Sequence, residues 1–234
     1  YFFKHSDFKI QKLIFSKSTA ILLLKDSWPL ILSGIVISIY MKIDQVMIKQ
    51  LLGDEAVGQY SAAVRISEAW YFIPVVISSS LFPAIINAKK HSEELYYKRL
   101  QRLYNLMVWI AIAIAIPVTF LSDVIINLLY GGQYNQAGGV LLIHIWSGIF
   151  VFLGVSSGKW LLTENLTKIS MLNTTIGAII NVVLNLILIK KIGIVGAAWA
   201  SLASYSFSAY FLLFFRKKTK MNFFSITKSL ISFK

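Results

Sequence analysis

The sequence predicts an all-α, polytopic membrane protein: a bundle of six transmembrane helices. Hydrophobic residues make up 57% of the 234 residues and the mean hydropathy is +0.69, whereas ordinary soluble domains are only ~45–50% apolar. The apolar residues form six stretches, each near the ~20 residues that a helix needs to cross a ~30 Å hydrocarbon core. These stretches cover residues 28–50, 61–87, 103–122, 138–162, 167–189 and 194–215.

The lysines and arginines gather in every other gap between these stretches. Residues 1–27, the gaps at 89–102 and 163–168, and the tail from residue 216 together hold 17 of the 23 basic residues, and the opposite gaps hold two. Basic residues accumulate on the cytoplasmic side of membrane proteins. We therefore expect both ends of the chain to lie in the cytoplasm, which an even number of spans also requires.

Three regions follow from this pattern. Residues 1–27 are predicted to form a basic amphipathic segment on the cytoplasmic surface, residues 28–215 the six-helix lobe, and residues 216–234 a basic cytoplasmic tail. A chain that begins with Tyr1, with no signal peptide ahead of its first span, is typical of the later part of a longer protein. We therefore expect a fragment.

Local signals predict where two of the helices begin or bend. Asp26, Ser27 and Pro29 combine a capping side chain with a proline that lacks an amide hydrogen, which predicts the start of the first helix. Pro74 lies in the middle of the second stretch. Because proline removes a backbone hydrogen bond, the second helix is expected to bend there.

Charge and composition narrow the partners and the chemistry. A net charge of +13 would suit a nucleic-acid binder, but these basic residues lie where helices leave the membrane, so anionic lipids are the expected partner and nucleic acid is not. The absence of cysteine excludes disulfides and thiolate metal sites. Catalytic motifs are missing and the three histidines are scattered, so the sequence predicts no enzyme, no cofactor and no metal site.

Charged residues inside the apolar stretches are the main functional candidates. Lys42 and Asp44 lie in the first stretch, and Arg65 and Glu68 in the second. A charge at the bilayer centre costs ~2.5–3.5 kcal/mol even on the mildest scale. These residues therefore either line a water-filled cavity or form an ion-paired cluster that is purely architectural. Counting outward from the turn between the two helices, we expect Arg65 to be held by Asp44 or Glu68.

A polar stripe follows the fifth stretch. Asn173, Gly177, Asn181 and Asn185 recur every four residues and so share one helix face. Such a stripe fits either interhelical hydrogen bonding or the lining of a transport path. The candidate substrate and cavity residues of the chain are Lys42, Asp44, Arg65, Glu68, Asn181 and Asn185.

Two blocks of sequence resemble a known family. Residues 26–86, from DSWPLILSGIVISIYMKIDQ to SSSLFPAII, and residues 181–205, NVVLNLILIKKIGIVGAAWASLASY, resemble the C-terminal half of bacterial O-antigen and polysaccharide-unit flippases. These belong to the multidrug/oligosaccharidyl-lipid/polysaccharide exporter superfamily. The resemblance implies a twelve-helix transporter of two six-helix lobes, of which this chain is the second and the missing N-terminal lobe is a partner.

The resemblance also implies a function. Such proteins move an undecaprenyl-diphosphate-linked oligosaccharide across the bacterial inner (plasma) membrane by alternating access, driven by an ion gradient, and the family has no catalytic motif. One alternative is a multidrug exporter of the same superfamily, for which acidic cavity residues would be expected, although the internal charges here lean basic. The other is a membrane-embedded sugar-polymerising enzyme, which would need a larger outer loop than this chain offers.

Overall fold

A computed structural model describes residues 15–231, and within that range it contains helices and no β-strand. The predicted all-α fold is therefore confirmed. The first half of the predicted amphipathic segment, residues 1–14, and the last three residues of the chain lie outside the described residues.

Between residues 15 and 231, nine α-helices follow one another, and six segments of this range are long and apolar enough to cross a membrane. Two of these six are composite, because α2 continues into α3 and α7 continues through a π-helix into α8. The helices are α1 (Lys17–Leu52), α2 (Asp54–Glu68), α3 (Phe72–His91), α4 (Glu93–Tyr130), α5 (Ala137–Thr163), α6 (Thr167–Ile192), α7 (Ile194–Ser206), α8 (Leu212–Phe214) and α9 (Lys220–Ile231), with a 3-10 turn at Gly132–Tyr134 and the π-helix at Phe207–Phe211.

The first helix starts earlier than the sequence signals predict. The expected start at Asp26–Pro29 is wrong: α1 begins at Lys17 and Pro29 lies inside it. Ser16 caps the helix, because its side-chain oxygen accepts a hydrogen bond from the Thr19 amide at 3.4 Å. A proline removes a single backbone donor, so a run of good helix formers with its own cap continues through it.

The bend expected in the second stretch is confirmed as a break between α2 and α3. Pro74 cannot donate to the carbonyl four residues earlier, and its ring crowds that carbonyl, which belongs to Trp70. The chain closes the gap with tighter bonds: Tyr71 N donates to Glu68 O at 2.9 Å, and Ile73 N donates to Trp70 O at 3.1 Å. The break reorients the helix beside Glu68, one of the candidate residues.

The α6–α7 hairpin brings two helices unusually close together. Gly193 forms its turn with a φ of 65°, a conformation that favours glycine. At Gly196 an added Cβ would lie 2.3 Å from the Leu188 carbonyl oxygen. The lack of a side chain at Gly196 therefore lets α7 pack directly on the α6 backbone, which sets the depth of the polar residues on both helices.

The predicted basic tail contains a helix that packs back onto the bundle. Asn222, Ile226 and Ser229 share one face of α9 and are buried. Tyr104 Oη on α4 donates to Asn222 Oδ1 at 2.6 Å, and Asn222 Nδ2 donates to Ser157 Oγ on α5 at 2.7 Å. Because polar and apolar residues at helical spacing form one buried face of α9, this part of the tail is an element of the fold.

The orientation in the membrane stays a prediction, and it can be tested directly. Gln133 and Glu94 are both exposed, at opposite ends of α4. We expect Gln133→Cys to react with a membrane-impermeant maleimide added to intact cells and Glu94→Cys to react only after the cells are permeabilised, because the basic gaps mark the cytoplasmic side. The chain has no native cysteine, so the unsubstituted protein is the blank. Labelling of Glu94→Cys in intact cells would contradict the orientation.

Candidate functional site

A buried polar site of the bundle is centred on Asp44, which is 3% exposed. Tyr60 Oη on α2 donates to Asp44 Oδ2 at 2.8 Å, and Ser201 Oγ on α7 donates to the same oxygen at 2.5 Å. Asn185 Nδ2 on α6 donates to Asp44 Oδ1 at 2.5 Å. Four helices therefore meet at this one carboxylate, and we call Asp44, Tyr60, Asn185 and Ser201 the Asp44 cluster.

The turns between helices set the depth of this cluster. Asp44 and Tyr60 lie on either side of the turn at Gly53, and Asn185 and Ser201 lie equally far on either side of the turn at Gly193. At ~1.5 Å per residue, all four lie roughly 10–14 Å below the turns. The cluster therefore occupies the half of the bundle that is predicted to face outward.

All the hydrogen-bond donors to Asp44 are neutral. Within the described range of residues, none of the ion pairs involves Asp44. Burying an ionised carboxylate without a cation costs several kcal/mol, and three donors offset only part of that cost. This site therefore suits a carboxyl group that takes up a proton or a cation.

The asparagine stripe of α6 extends away from the cluster along the helix interface. Asn185 Nδ2 also donates to Asn181 Oδ1 at 3.1 Å, and Asn181 Nδ2 donates to Ser204 Oγ on α7 at 3.4 Å. Nearer the other end of α6, Arg216 donates to Asn173 Oδ1. The stripe thus makes interhelical hydrogen bonds, as one of the two interpretations predicted, and its outer end also belongs to the Asp44 cluster.

The other charged candidates lie on a different, exposed face. Lys42 Nζ lies 3.7 Å from Glu68 Oε2, and their side chains are 60% and 20% exposed. Arg65 is exposed, and its side chain has no hydrogen bond or ion pair in the range 15–231. The expectation that Asp44 or Glu68 holds Arg65 is wrong, because Asp44 points to α6 and α7 while Arg65 points away from the bundle.

The six candidates therefore divide between two places. Asp44, Asn181 and Asn185 lie together in the interior. The remaining three form what we call the charged face, on the exposed side of α1 and α2: Lys42, Arg65 and Glu68.

Sequence reasoning missed Tyr60 and Ser201 as members of the interior site. Tyr60 lies just before the second apolar stretch, and Ser201 lies among small residues in the sixth. Counting residues from both turns would have placed Tyr60 and Ser201 at the depth of Asp44, because residues equally far in sequence from a turn lie at similar depths on the two helices that it joins. His144 is also buried, and its Nδ1 lies 2.9 Å from Ser67 Oγ.

Comparison with known proteins finds similarity to polysaccharide transporters. Residues 1–89 match the model of a family described as polysaccharide biosynthesis protein. The chain is 26% identical over 171 residues to a probable low-salt glycan biosynthesis flippase of Haloferax volcanii, covering 71% of this chain and 36% of the relative. It is 21% identical over 206 residues to a putative O-antigen transporter of Shigella dysenteriae, covering 87% of this chain and 50% of the relative.

A solved structure shares the fold. An outward-facing multidrug resistance transporter of the MATE family, in the MOP superfamily, matches with a TM-score of 0.65 and 18% identity over 88% of this chain and 52% of its own. At that identity the match concerns the fold alone. The chain spans about a third to a half of the length of the curated relatives it matches. The resemblance seen in the sequence is thereby confirmed: this multi-pass membrane chain is similar to polysaccharide flippases and O-antigen transporters, and it shares its fold with a transporter of the MOP superfamily.

Proposed function

We propose that this chain is one lobe of a flippase that moves a lipid-linked oligosaccharide from the cytoplasmic to the outer leaflet. The substrate in this proposal is an oligosaccharide carried on undecaprenyl diphosphate, and the movement is alternating access between this lobe and a second one. The names of the relatives, two probable flippases and an O-antigen transporter, support the substrate class.

One observation carries the proposal: the charged face lies on the outside of the bundle, inside the two membrane-spanning segments and roughly 16–23 Å from the turn at Gly53 at ~1.5 Å per residue. Lys42 and Arg65 are exposed there, and a charge facing lipid at that depth costs ~2.5–3.5 kcal/mol or more. These side chains therefore need water or another protein surface in front of them. A second lobe that packs opposite α1 and α2 and encloses a water-filled cavity there supplies both the water and the protein surface.

The chemistry of the charged face suits a diphosphate. Arg65 is free to present a planar guanidinium that binds phosphate oxygens bidentately. Lys42 adds a second cation, while Glu68 offsets one of the two charges. A diphosphate loses its hydration on entering a membrane, and a net positive face compensates for that loss. The polyprenyl chain stays in the lipid at the seam between the lobes.

We assign the Asp44 cluster the separate role of coupling. A proton neutralises a buried carboxylate that has only neutral donors around it, and a monovalent cation forms an ion pair with it. Either one changes the net charge of the site. Because Asp44 contacts α2, α6 and α7 together, a change in its charge alters how these helices pack. Energy from an ion gradient can then bias the lobe toward one orientation.

The two alternatives lack support of this kind. The multidrug transporter shares the fold, but at 18% identity this likeness says nothing about the substrate of the present chain. Basic residues on the charged face suit an anionic substrate better than a cationic drug. The sugar-polymerising enzyme finds no counterpart among these relatives, which are named as flippases and transporters.

The proposal is tested by removing the gene from its host. We expect the deletion strain to lose the corresponding surface polysaccharide and to accumulate the intact lipid-linked oligosaccharide on the cytoplasmic side, measured by lipid extraction and mass spectrometry of spheroplasts. A polymerising enzyme would instead leave single repeat units exposed on the outer surface. Unchanged surface polysaccharide and unchanged lipid-linked oligosaccharide would contradict the proposal.

A further inference from the structure

A cavity opens on the side of the Asp44 cluster that lies away from the turns at Gly53 and Gly193, and Tyr40, Met41 and Tyr205 line its end next to the cluster. Its volume is about 530 Å³, and residues from α1, α3, α5, α6 and the π-helix line it. That volume lies within the ~300–1,000 Å³ range of small-molecule sites. Leu30, Ile37 and Leu162 line the cavity and remain exposed on the surface of the bundle. The cavity is therefore continuous with an apolar part of the outer surface of the bundle.

The walls of the cavity are mostly apolar, and its polar groups include a cation. Lys159 lines it near the end of α5, and its ammonium group lies 5.5 Å from the centre of the Phe82 ring. Among the described residues, no carboxylate lines the cavity. The electrostatic character of the site is therefore positive, with apolar walls on either side.

A second polar group in the cavity lacks a partner. Asn173 also lines it and is 3% exposed. Arg216 donates to Asn173 Oδ1, which fixes the amide so that Nδ2 is the donor, and this Nδ2 is buried without a hydrogen-bond partner. An unsatisfied buried donor costs ~1–3 kcal/mol. A ligand oxygen in the cavity would remove that cost.

We propose that this cavity binds one anionic phospholipid of the cytoplasmic leaflet. An acyl chain fills the apolar part, and a phosphate oxygen accepts from Lys159 Nζ and Asn173 Nδ2. This occupant is favoured over the diphosphate of the transported substrate because Lys159 is the single cation among the described residues that line the cavity, which matches a single phosphodiester charge. The charged face, proposed for the substrate, contributes no residue to the cavity. The inference does not rest on the proposed function.

Photo-crosslinking tests this site in membranes that contain the complete protein. The probe is phosphatidylglycerol with a diazirine on one acyl chain, and the labelled peptides are mapped by mass spectrometry. We expect labels on α1 and α5 between residues 30 and 41 and between 150 and 162. Unlabelled phosphatidylglycerol should compete with the probe, and phosphatidylcholine should compete much less. Lys159→Gln should weaken labelling by roughly tenfold, the loss expected for one charge-assisted hydrogen bond.

A matched pair of glycines supplies a variant and its control. A Cβ added at Gly158, which lines the cavity, or at Gly58 on α2 meets nothing within 4 Å. Gly158→Phe should fill the cavity and abolish the labels, whereas Gly58→Phe should leave them unchanged. Lys49→Gln is the charge control, because it removes the charge of an exposed lysine near the C-terminal end of α1 that does not line the cavity.

Four results would overturn the inference. Labelling that Gly158→Phe leaves unchanged would show that the probe binds elsewhere. Equal competition by phosphatidylcholine would rule out recognition of the anionic headgroup. Displacement by inorganic phosphate would assign the polar end to a free anion, and stronger displacement by undecaprenyl phosphate than by phosphatidylglycerol would assign the cavity to the substrate carrier.

Discussion

Replacing Arg65 with alanine is expected to abolish export of the polysaccharide while leaving the amount of protein in the membrane unchanged. Removing one partner of a charge-assisted pair costs ~2–5 kcal/mol, which corresponds to a loss of at least roughly 30-fold. Because the Arg65 side chain contacts no carboxylate in the described range, its removal strands no buried charge. The substitution is made in the chromosomal gene, and export is measured as surface polysaccharide.

Conservative and matched variants separate substrate binding from a general effect of charge. Arg65→Lys should retain part of the activity, because a lysine keeps the charge but loses the planar fork. Arg102→Ala removes another exposed arginine, near the end of α4 that is predicted to be cytoplasmic, and should export normally. If Arg65→Ala lowers the protein level and the reversal Arg65→Glu with Glu68→Arg restores it, Arg65 is architectural. Normal export by Arg65→Ala at normal protein level would remove Arg65 from the substrate path.

Replacing Asp44 with asparagine is expected to uncouple transport from its ion gradient. Asparagine keeps the size of the side chain but cannot gain or lose a charge, so the ion no longer biases the packing of α2, α6 and α7. We expect the dependence of export on the gradient to fall by roughly 5- to 150-fold, the usual range of coupling between two sites. The measurement is export in cells treated with a protonophore or a sodium ionophore.

A stability measurement on the purified protein identifies the ion. Any ligand that binds only the folded state raises the unfolding temperature. If sodium is the coupling ion, adding it should raise the unfolding temperature of the wild type and not that of Asp44→Asn. If the proton is the coupling ion, lowering the pH should raise the unfolding temperature of the wild type and not that of Asp44→Asn. Asp54→Asn is the matched control, because Asp54 is exposed and pairs with Lys49 at 2.9 Å. An unaltered ion response in Asp44→Asn would exclude the Asp44 cluster from coupling.

Much of this architecture could be predicted from the sequence because membrane spans are specified by length and polarity. The six apolar stretches correspond to the six segments able to cross a membrane, and Pro74 marks the break between α2 and α3. The start of α1 could not be predicted in the same way. A proline and a capping residue favour a helix start, but they do not prevent a helix from running through them when an earlier cap, here Ser16, is available.

The charged candidates could be picked out from the sequence, but Tyr60 and Ser201 were missed, and the grouping of these residues could not be predicted. Burial cost alone identified Lys42, Asp44, Arg65 and Glu68 as unusual. Their division into an interior site and an exposed face depends on helix rotation, which the sequence leaves open for residues only two or three positions apart. The asparagine stripe gave a correct face for α6. The neighbour it would meet on α1, the carboxylate of Asp44, became clear only from the packing of the two helices.

The central claim is that this chain forms part of a lipid-linked oligosaccharide flippase whose substrate path includes the charged face. The most direct test reconstitutes the complete protein in liposomes with undecaprenyl-diphosphate oligosaccharide in the inner leaflet and follows its access to an impermeant lectin outside. The account predicts that access increases with time for wild-type protein and stays at the protein-free level for Arg65→Ala. Equal rates of appearance for wild type, Arg65→Ala and protein-free liposomes would contradict it.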